Sequence, residues 1–206
     1  MAEEYKFTWY DICEENPYNK RILDIRSLTQ TMVSTTTNKS VAEMFNRQRH
    51  SIGEELIGCE IQGCQTINAE LVYNHNGTKL AGATYKAEAM EDKWDIYGWN
   101  DVIYFTRSWT GELVYKAFIN ITETNLKIYK IEFSPNNYTQ DDISIVVNTV
   151  HFLMMTLALK NVYPHKVPKT IIADKDIAIY SYSLFGRNSW YATYDNILDT
   201  VKRKKE

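Results

Sequence analysis

The sequence predicts an α+β fold: a mainly antiparallel sheet of about six strands, with one long buried helix packed on one face. Two stretches carry that prediction. From Asp101 to Phe133 apolar and polar residues alternate, Tyr, Phe, Val and Ile dominate, and Gly111 and the Thr122–Asn125 cluster interrupt the run. Period-two alternation broken by turn residues is the pattern of an antiparallel meander. The second stretch, Ile143 to Leu159, has no Asp, Glu, Lys or Arg, and it is flanked by Asp141-Asp142 and Lys160. Carboxylates at a helix start and a cation at its end complement the helix dipole. Apolar residues around most of its circumference predict a helix over about 142–160 that is largely buried. The apolar face of the meander is its expected partner, with roughly 1.5–3 kcal/mol for each large side chain buried there.

The other elements follow in chain order. Residues 5–13 alternate loosely and predict a first strand, Asn16–Asn19 a turn, and Arg21–Ile25 a second short strand. Ser34–Asn38 is a polar loop leading into a helix near Ser40–His50, in which Val41, Met44 and Phe45 share a face. Ser40 and Glu43 have capping-box spacing, and Gly53 closes the segment. Ile67–Tyr73 and Thr78–Ala87, joined through Asn76-Gly77, predict a β-hairpin. Lys93–Gly98 adds a strand before the meander. After Pro164 and Pro168, Ile177–Phe185 alternates as a strand, Gly186–Asn188 as a turn and Ser189–Tyr194 as its return. Asp195 is a cap for a short last helix. With no repeat or long linker, residues 1–206 are expected to form a single domain with a short basic tail at 202–206.

Composition narrows the chemistry. The net charge is −3, and the final five residues hold four of the 23 basic and one of the 26 acidic side chains. Removing them leaves 19 basic and 25 acidic residues, a net of −6, which argues against nucleic acid as a partner. Three cysteines without a C-x-x-C pair fit a reducing compartment rather than a disulfide scaffold. The N-terminal residues lack a signal-peptide pattern, and the longest uncharged run is too short and polar to span a membrane. A cytoplasmic location is therefore expected.

No phosphate-cradling glycine motif, nucleophile elbow or paired zinc-ligand motif occurs, so no cofactor, metal or catalytic residue is assigned. His151, within an apolar helix, is expected to be a hydrogen-bonded core histidine. What remains is the group Arg107-Ser108-Trp109-Thr110-Gly111. A two-residue Thr110-Gly111 loop would force β-branched Thr110 to positive φ, whereas a three-residue Trp109–Gly111 loop puts Gly111 in the left-handed region. That register sets Ile103, Phe105 and Arg107 on one face with Leu113, Tyr115, Ala117 and Ile119. Val102, Tyr104, Thr106, Ser108, Glu112, Val114, Lys116, Phe118 and Asn120 take the other.

An inward arginine needs acceptors. Either Arg107 pins the loop through an ion pair, or it meets an anionic ligand beside Trp109. The segment Phe185–Trp190 loosely repeats this pattern. The candidate ligand-binding residues are thus Arg107, Trp109, Tyr115, Arg187 and Trp190. With 15 tyrosines and five tryptophans as contact residues, the leading expectation is a non-catalytic binding protein acting on another protein, of the immunity or inhibitor type. The alternative is a protein for a small anionic ligand or nucleotide, including a hydrolase, that uses the Arg/Trp group.

Overall fold

The computed structural model describes residues 5–135 and 143–199. The chain has an α+β architecture with two sheets, and it divides into two compact units. One is formed between Ser34 and Val147, and the other by described residues on either side of that stretch. The expected cap Asp141-Asp142 and the basic tail 202–206 lie outside the described residues.

The inner stretch holds a six-stranded antiparallel sheet: β3 (Gln65–Asn74), β4 (Leu80–Tyr85), β5 (Trp94–Asn100), β6 (Val102–Arg107), β7 (Leu113–Ile121) and β8 (Asn125–Phe133). Strands β4 to β8 form a meander, and β3 pairs with β8, giving the order β3-β8-β7-β6-β5-β4. The expected hairpin across Asn76-Gly77 therefore does not form. β3 and β4 are the two edges of the sheet, although only residues 75–79 connect them. A stretched link of this length reaches about 21 Å, whereas five strand spacings in a flat sheet cover about 24 Å. The sheet must curl so that its edges approach. The link is held beside the β7–β8 turn, where His75 N donates to Thr124 O over 2.8 Å. Gly77 has φ +79, and a Cβ there would stand 3.2 Å from the Glu123 backbone. The Asn-Gly pair thus makes a bend and not the expected hairpin turn, between strands that pair elsewhere.

Ahead of the sheet runs α2 (Lys39–Gln48), with Phe45 buried and Val41 and Met44 half-buried. Its cap is Asn38 rather than Ser40: Asn38 Oδ1 accepts from the backbone N–H groups of Ser40 and Val41. The amide side chain bonds the free N–H groups of the first turn two residues earlier than the expected start. Gly53 (φ +80) then opens a short 3-10 turn at Glu54–Leu56, and Leu56 packs on Tyr97 and Tyr104.

The second unit is built from both flanks. Short strands β1 (Thr8–Tyr10), β2 (Ile22–Asp24), β9 (Pro164–Lys166) and β10 (Tyr191–Thr193) form a sheet of order β1-β2-β10-β9, in which β9 and β10 are parallel. The short helix α1 (Arg26–Thr29) follows β2. The helix expected over 142–160 is an eleven-residue α-helix, α3 (Ile143–Leu153), that passes into a π-helix at Met154–Ala158. Residues 145–154 are buried.

The expected strand Ile177–Phe185 is instead helix α4 (Asp174–Phe185). Its buried residues Ile177, Ala178, Ser181, Tyr182 and Phe185 follow helical spacing. Asp174 and Asp176 occupy its first turn, and Gly186 N–H closes the last turn on Tyr182 O. The Tyr-Ser-Tyr-Ser alternation concealed that 3.6-residue period. β10 consequently pairs with β2 and β9 and not with residues 177–185. Residues 195–199 are not helical.

Candidate functional site

The turn after β6 positions Arg107 and Trp109. Gly111 has φ +70, in the left-handed region. Arg107 O accepts from the N–H groups of Thr110 and Gly111, and Arg107 N donates to Glu112 O, so the loop comprises the four residues Ser108–Gly111. Thr106 accordingly faces Leu113, but one residue on the register shifts and Phe105 faces Tyr115. From there the three-residue-loop register holds: Ile103 and Phe105 share a face with Tyr115, Ala117 and Ile119. Leu113 is the exception. The shift carries it to the opposite face, where it packs by Tyr97 and Tyr104.

Arg107 is paired across the strands with Trp94, and its guanidinium carbon sits 4.8 Å from the centre of that buried indole. Trp94 stacks in turn on Tyr115, with centroids 5.7 Å apart and planes at 18°. Tyr115 is fully buried and also meets Phe105 edge-on, so it supports the arginine from behind the indole. Trp109 donates its indole N–H to Met90 O at 2.8 Å, which ties the turn to the β4–β5 loop. Ser108 does the same through Asp92 O.

Lys93 completes the group. Its ammonium lies 4.5 Å from the Trp109 ring centre and donates to Ser34 Oγ and Met90 O. Burial, with the Arg107 charge second, pulls its pKa down to about 8. Lys93 carried no sequence signal, because only the fold sets it between Arg107 and Trp109.

Arg187 and Trp190 belong to the other unit, and the repeat of pattern does not repeat the geometry. Arg187 contributes its backbone oxygen to Gln30 Nε2. The guanidinium near the Trp190 ring belongs to Arg26, at 5.8 Å, and Arg26 is gripped by Asp24. Trp190 instead helps to line a cavity of about 200 Å³ with Thr156, Lys160, Asn161, Val162 and Asn188.

That unit also buries two histidines. His165 Nε2 lies 2.7 Å from Ser181 Oγ, and Ser181 Oγ donates to Ile177 O at 2.6 Å. With the hydroxyl proton spent there, Nε2–H is the donor to Ser181. A backbone contact with Tyr191 favours the charged form of the ring, but burial outweighs it. Both side chains are fully buried, so this Ser–His pair is part of the core and offers no nucleophile to solvent. His151 Nε2 is 3.5 Å from Tyr163 Oη, whose proton goes to Ile197 O. Burial lowers the pKa of His151 to about 4 and that of His165 to about 3.

Among the described residues no group of three or more His, Cys, Asp or Glu could hold a metal ion, and no helix is long and apolar enough to cross a membrane. The remaining distinctive surface is β4, Leu-Ala-Gly-Ala-Thr-Tyr, an edge strand without a charged residue in which Ala81, Ala83 and Thr84 are exposed. No protein-family model matches the chain, and neither a curated protein nor a solved structure does.

Proposed function

We propose that the protein is a non-catalytic binding protein that engages another protein, in the manner of an immunity or inhibitor protein, through the β4 edge. The observation that carries this reading is the uncharged, proline-free edge strand Leu80–Tyr85, which pairs with β5 alone. An edge strand presents a row of N–H and C=O groups that an extended segment can extend, and protein edges are ordinarily protected by charge, proline or cover. β4 carries none of the first two. Ala81 pairs with the half-buried Trp99, so the added strand would run beside one aromatic contact residue.

Ala81→Lys with Ala83→Lys places two charges on exposed positions and leaves the β4–β5 ladder able to form. Capture from the native host should recover one protein with the unmodified chain and lose it with this variant, while the melting temperature stays within a few degrees. Equal capture by both chains would exclude the edge. A measured turnover without any partner would exclude the reading itself.

A second reading is supported by the Lys93–Arg107–Trp109 group. Two cations beside two indoles suit a small anion or nucleotide, with Tyr115 as backing. Arg107→Met should then abolish a thermal shift produced by phosphorylated metabolites without unfolding the protein, since ligand at 100-fold its Kd stabilises by about 2.7 kcal/mol. Unfolding of that variant without ligand would mark Arg107 as structural.

A further inference from the structure

The link between β3 and β4 holds the chain's one Asn-Gly pair, Asn76-Gly77. The carboxamide carbon of an asparagine is an electrophile, and the backbone nitrogen of the next residue can close a five-membered ring on it. Glycine in that next position removes the side chain that would crowd the approach. Asn76 and Gly77 are both exposed, so water can enter and ammonia can leave.

The contacts around the pair match what ring closure requires. Gly77 N–H donates to His75 Nδ1 at 3.1 Å, so the imidazole already accepts from the proton that this nitrogen must lose. A base within hydrogen-bond reach of the proton it abstracts is the geometric condition for general-base catalysis. An accepting Nδ1 is that of a neutral ring with its proton on Nε2. Asn76 Oδ1 in turn accepts from Thr78 N–H at 3.1 Å. That bond folds the carboxamide back along the chain that follows it. Its donor also faces the oxygen on which negative charge builds when Cγ is attacked. The backbone on both sides is held, because His75 N–H bonds to Thr124 O at 2.8 Å and Gly77, at φ +79, lies against the Glu123 backbone.

We propose that this link is a self-modifying site, in which His75 is the base for closure of Asn76 on the Gly77 nitrogen and Thr78 N–H is the oxyanion donor. The bond from Gly77 N to Asn76 Cγ forms as the proton passes to His75 Nδ1. The tetrahedral centre then collapses by breaking the Cγ–Nδ2 bond. The proton on His75 goes to Nδ2, which leaves as ammonia. Water opens the resulting succinimide at one of its two carbonyls and gives aspartate or isoaspartate. One water is consumed, one ammonia is released and no electrons are exchanged. The product adds a carboxylate beside the Glu123 backbone, and isoaspartate also lengthens the main chain by one carbon. The connection between the two edges of the sheet is thus altered once and does not revert.

This inference does not rest on the β4 edge reading. The test incubates the full chain at neutral pH and body temperature and follows the Asn76 peptide by mass spectrometry, with isoaspartate resolved from aspartate. The folded chain should convert Asn76 about tenfold faster than His75→Phe, which keeps a ring without the accepting nitrogen. In urea the two chains should convert equally, since the imidazole is no longer placed. His75→Gln can accept the hydrogen bond but takes no proton, and it should be as slow as His75→Phe. If His75→Phe does not fold, His75→Gln carries the comparison alone. Equal rates in the folded unmodified and variant chains would overturn the proposal. So would a rate retained in His75→Gln, slower conversion in the folded chain than in urea, or a difference between the chains that persists in urea.

Discussion

The two units of this chain are built by opposite strategies. Between Ser34 and Val147, five successive strands pair with their sequence neighbours, and only β3 departs by joining β8. In the other unit the sheet is closed by a distant pairing. Strand β2, near residue 23, lies beside β10 near residue 192, and Trp9 donates to Asp174 across 165 residues. A meander declares itself through local alternation and turns. A sheet closed by both flanks of the chain declares nothing locally, because each short strand has meaning only next to a partner far away.

The difference also shows in what is buried. Around Trp94, Phe105, Tyr115 and Phe133 the meander unit buries two carboxylates and two hydroxyls, Asp92, Asp95, Thr106 and Ser108. The other unit buries His151 and His165, Asn148, Ser181 and Thr193. Its polar groups are mostly tied across the chain, as where Asn148 Oδ1 accepts from Ile197 N–H and Thr193 Oγ1 donates to Arg21 O.

The largest test of the comparison removes one core aromatic from each. Trp94→Ala in the meander and Phe152→Ala in the other unit should each cost about 3–5 kcal/mol. If residues 1–206 act as the single domain we propose, calorimetry will show both substitutions lowering one common transition. Two transitions, each moved by one substitution only, would divide the chain into independent domains.

Acid provides the next test, of intermediate size. Both buried histidines are held neutral in the fold, with pKa values near 4 and 3 against an ordinary 6.5. Above pH 6.5 neither state binds the proton. As pH falls below that value the unfolded chain takes it up and the folded chain does not, so stability falls until the folded pKa is reached. Between pH 6.5 and 5 the loss is about 2 kcal/mol for each histidine. Urea melts at pH 7 and pH 5 should therefore differ by about 4 kcal/mol. His151→Phe should halve the difference, and an unchanged pH dependence would mean that His151 is already charged in the fold.

The smallest effect concerns the meander turn. Gly111→Ala places a methyl group at φ +70, where it also meets the end of the Gln48 side chain. The backbone penalty is roughly 1–2 kcal/mol, and the amide can swing aside. Chemical denaturation should register that loss, and no loss would mean that the loop adopts another turn.

Legibility followed the same division. The α+β class, the six-stranded sheet, the meander strands, the left-handed Gly111 and the face shared by Ile103, Phe105, Arg107 and Tyr115 could all be read from alternation and turn chemistry. The helix through Phe45 was readable too, although its cap was misplaced by two residues, since Ser40 and Asn38 both qualify as caps. The Asn76-Gly77 pair was misread because a turn motif fixes a change of direction and not which strands lie side by side. Ile177–Phe185 was misread because two periods coexist in it, and only burial against Leu23, Val167 and Ala192 selects the helical one.

For the candidate sites the division is sharper. Arg107 and Trp109 could be singled out by residue type, yet the groups they meet, Trp94, Lys93 and Met90, are identified only by cross-strand register. Trp190 could be singled out as well, but with Arg187, whereas the fold puts it beside Thr156, Lys160 and Asn161. What the sequence determined by itself is therefore local: periodicity, turn conformation and the face to which a side chain belongs. Only the tertiary structure decided which edges close the sheet and which residues share a cavity. Those outcomes depend on residues up to some 170 positions apart, as with Thr193 and Arg21, and no local pattern encodes such distances.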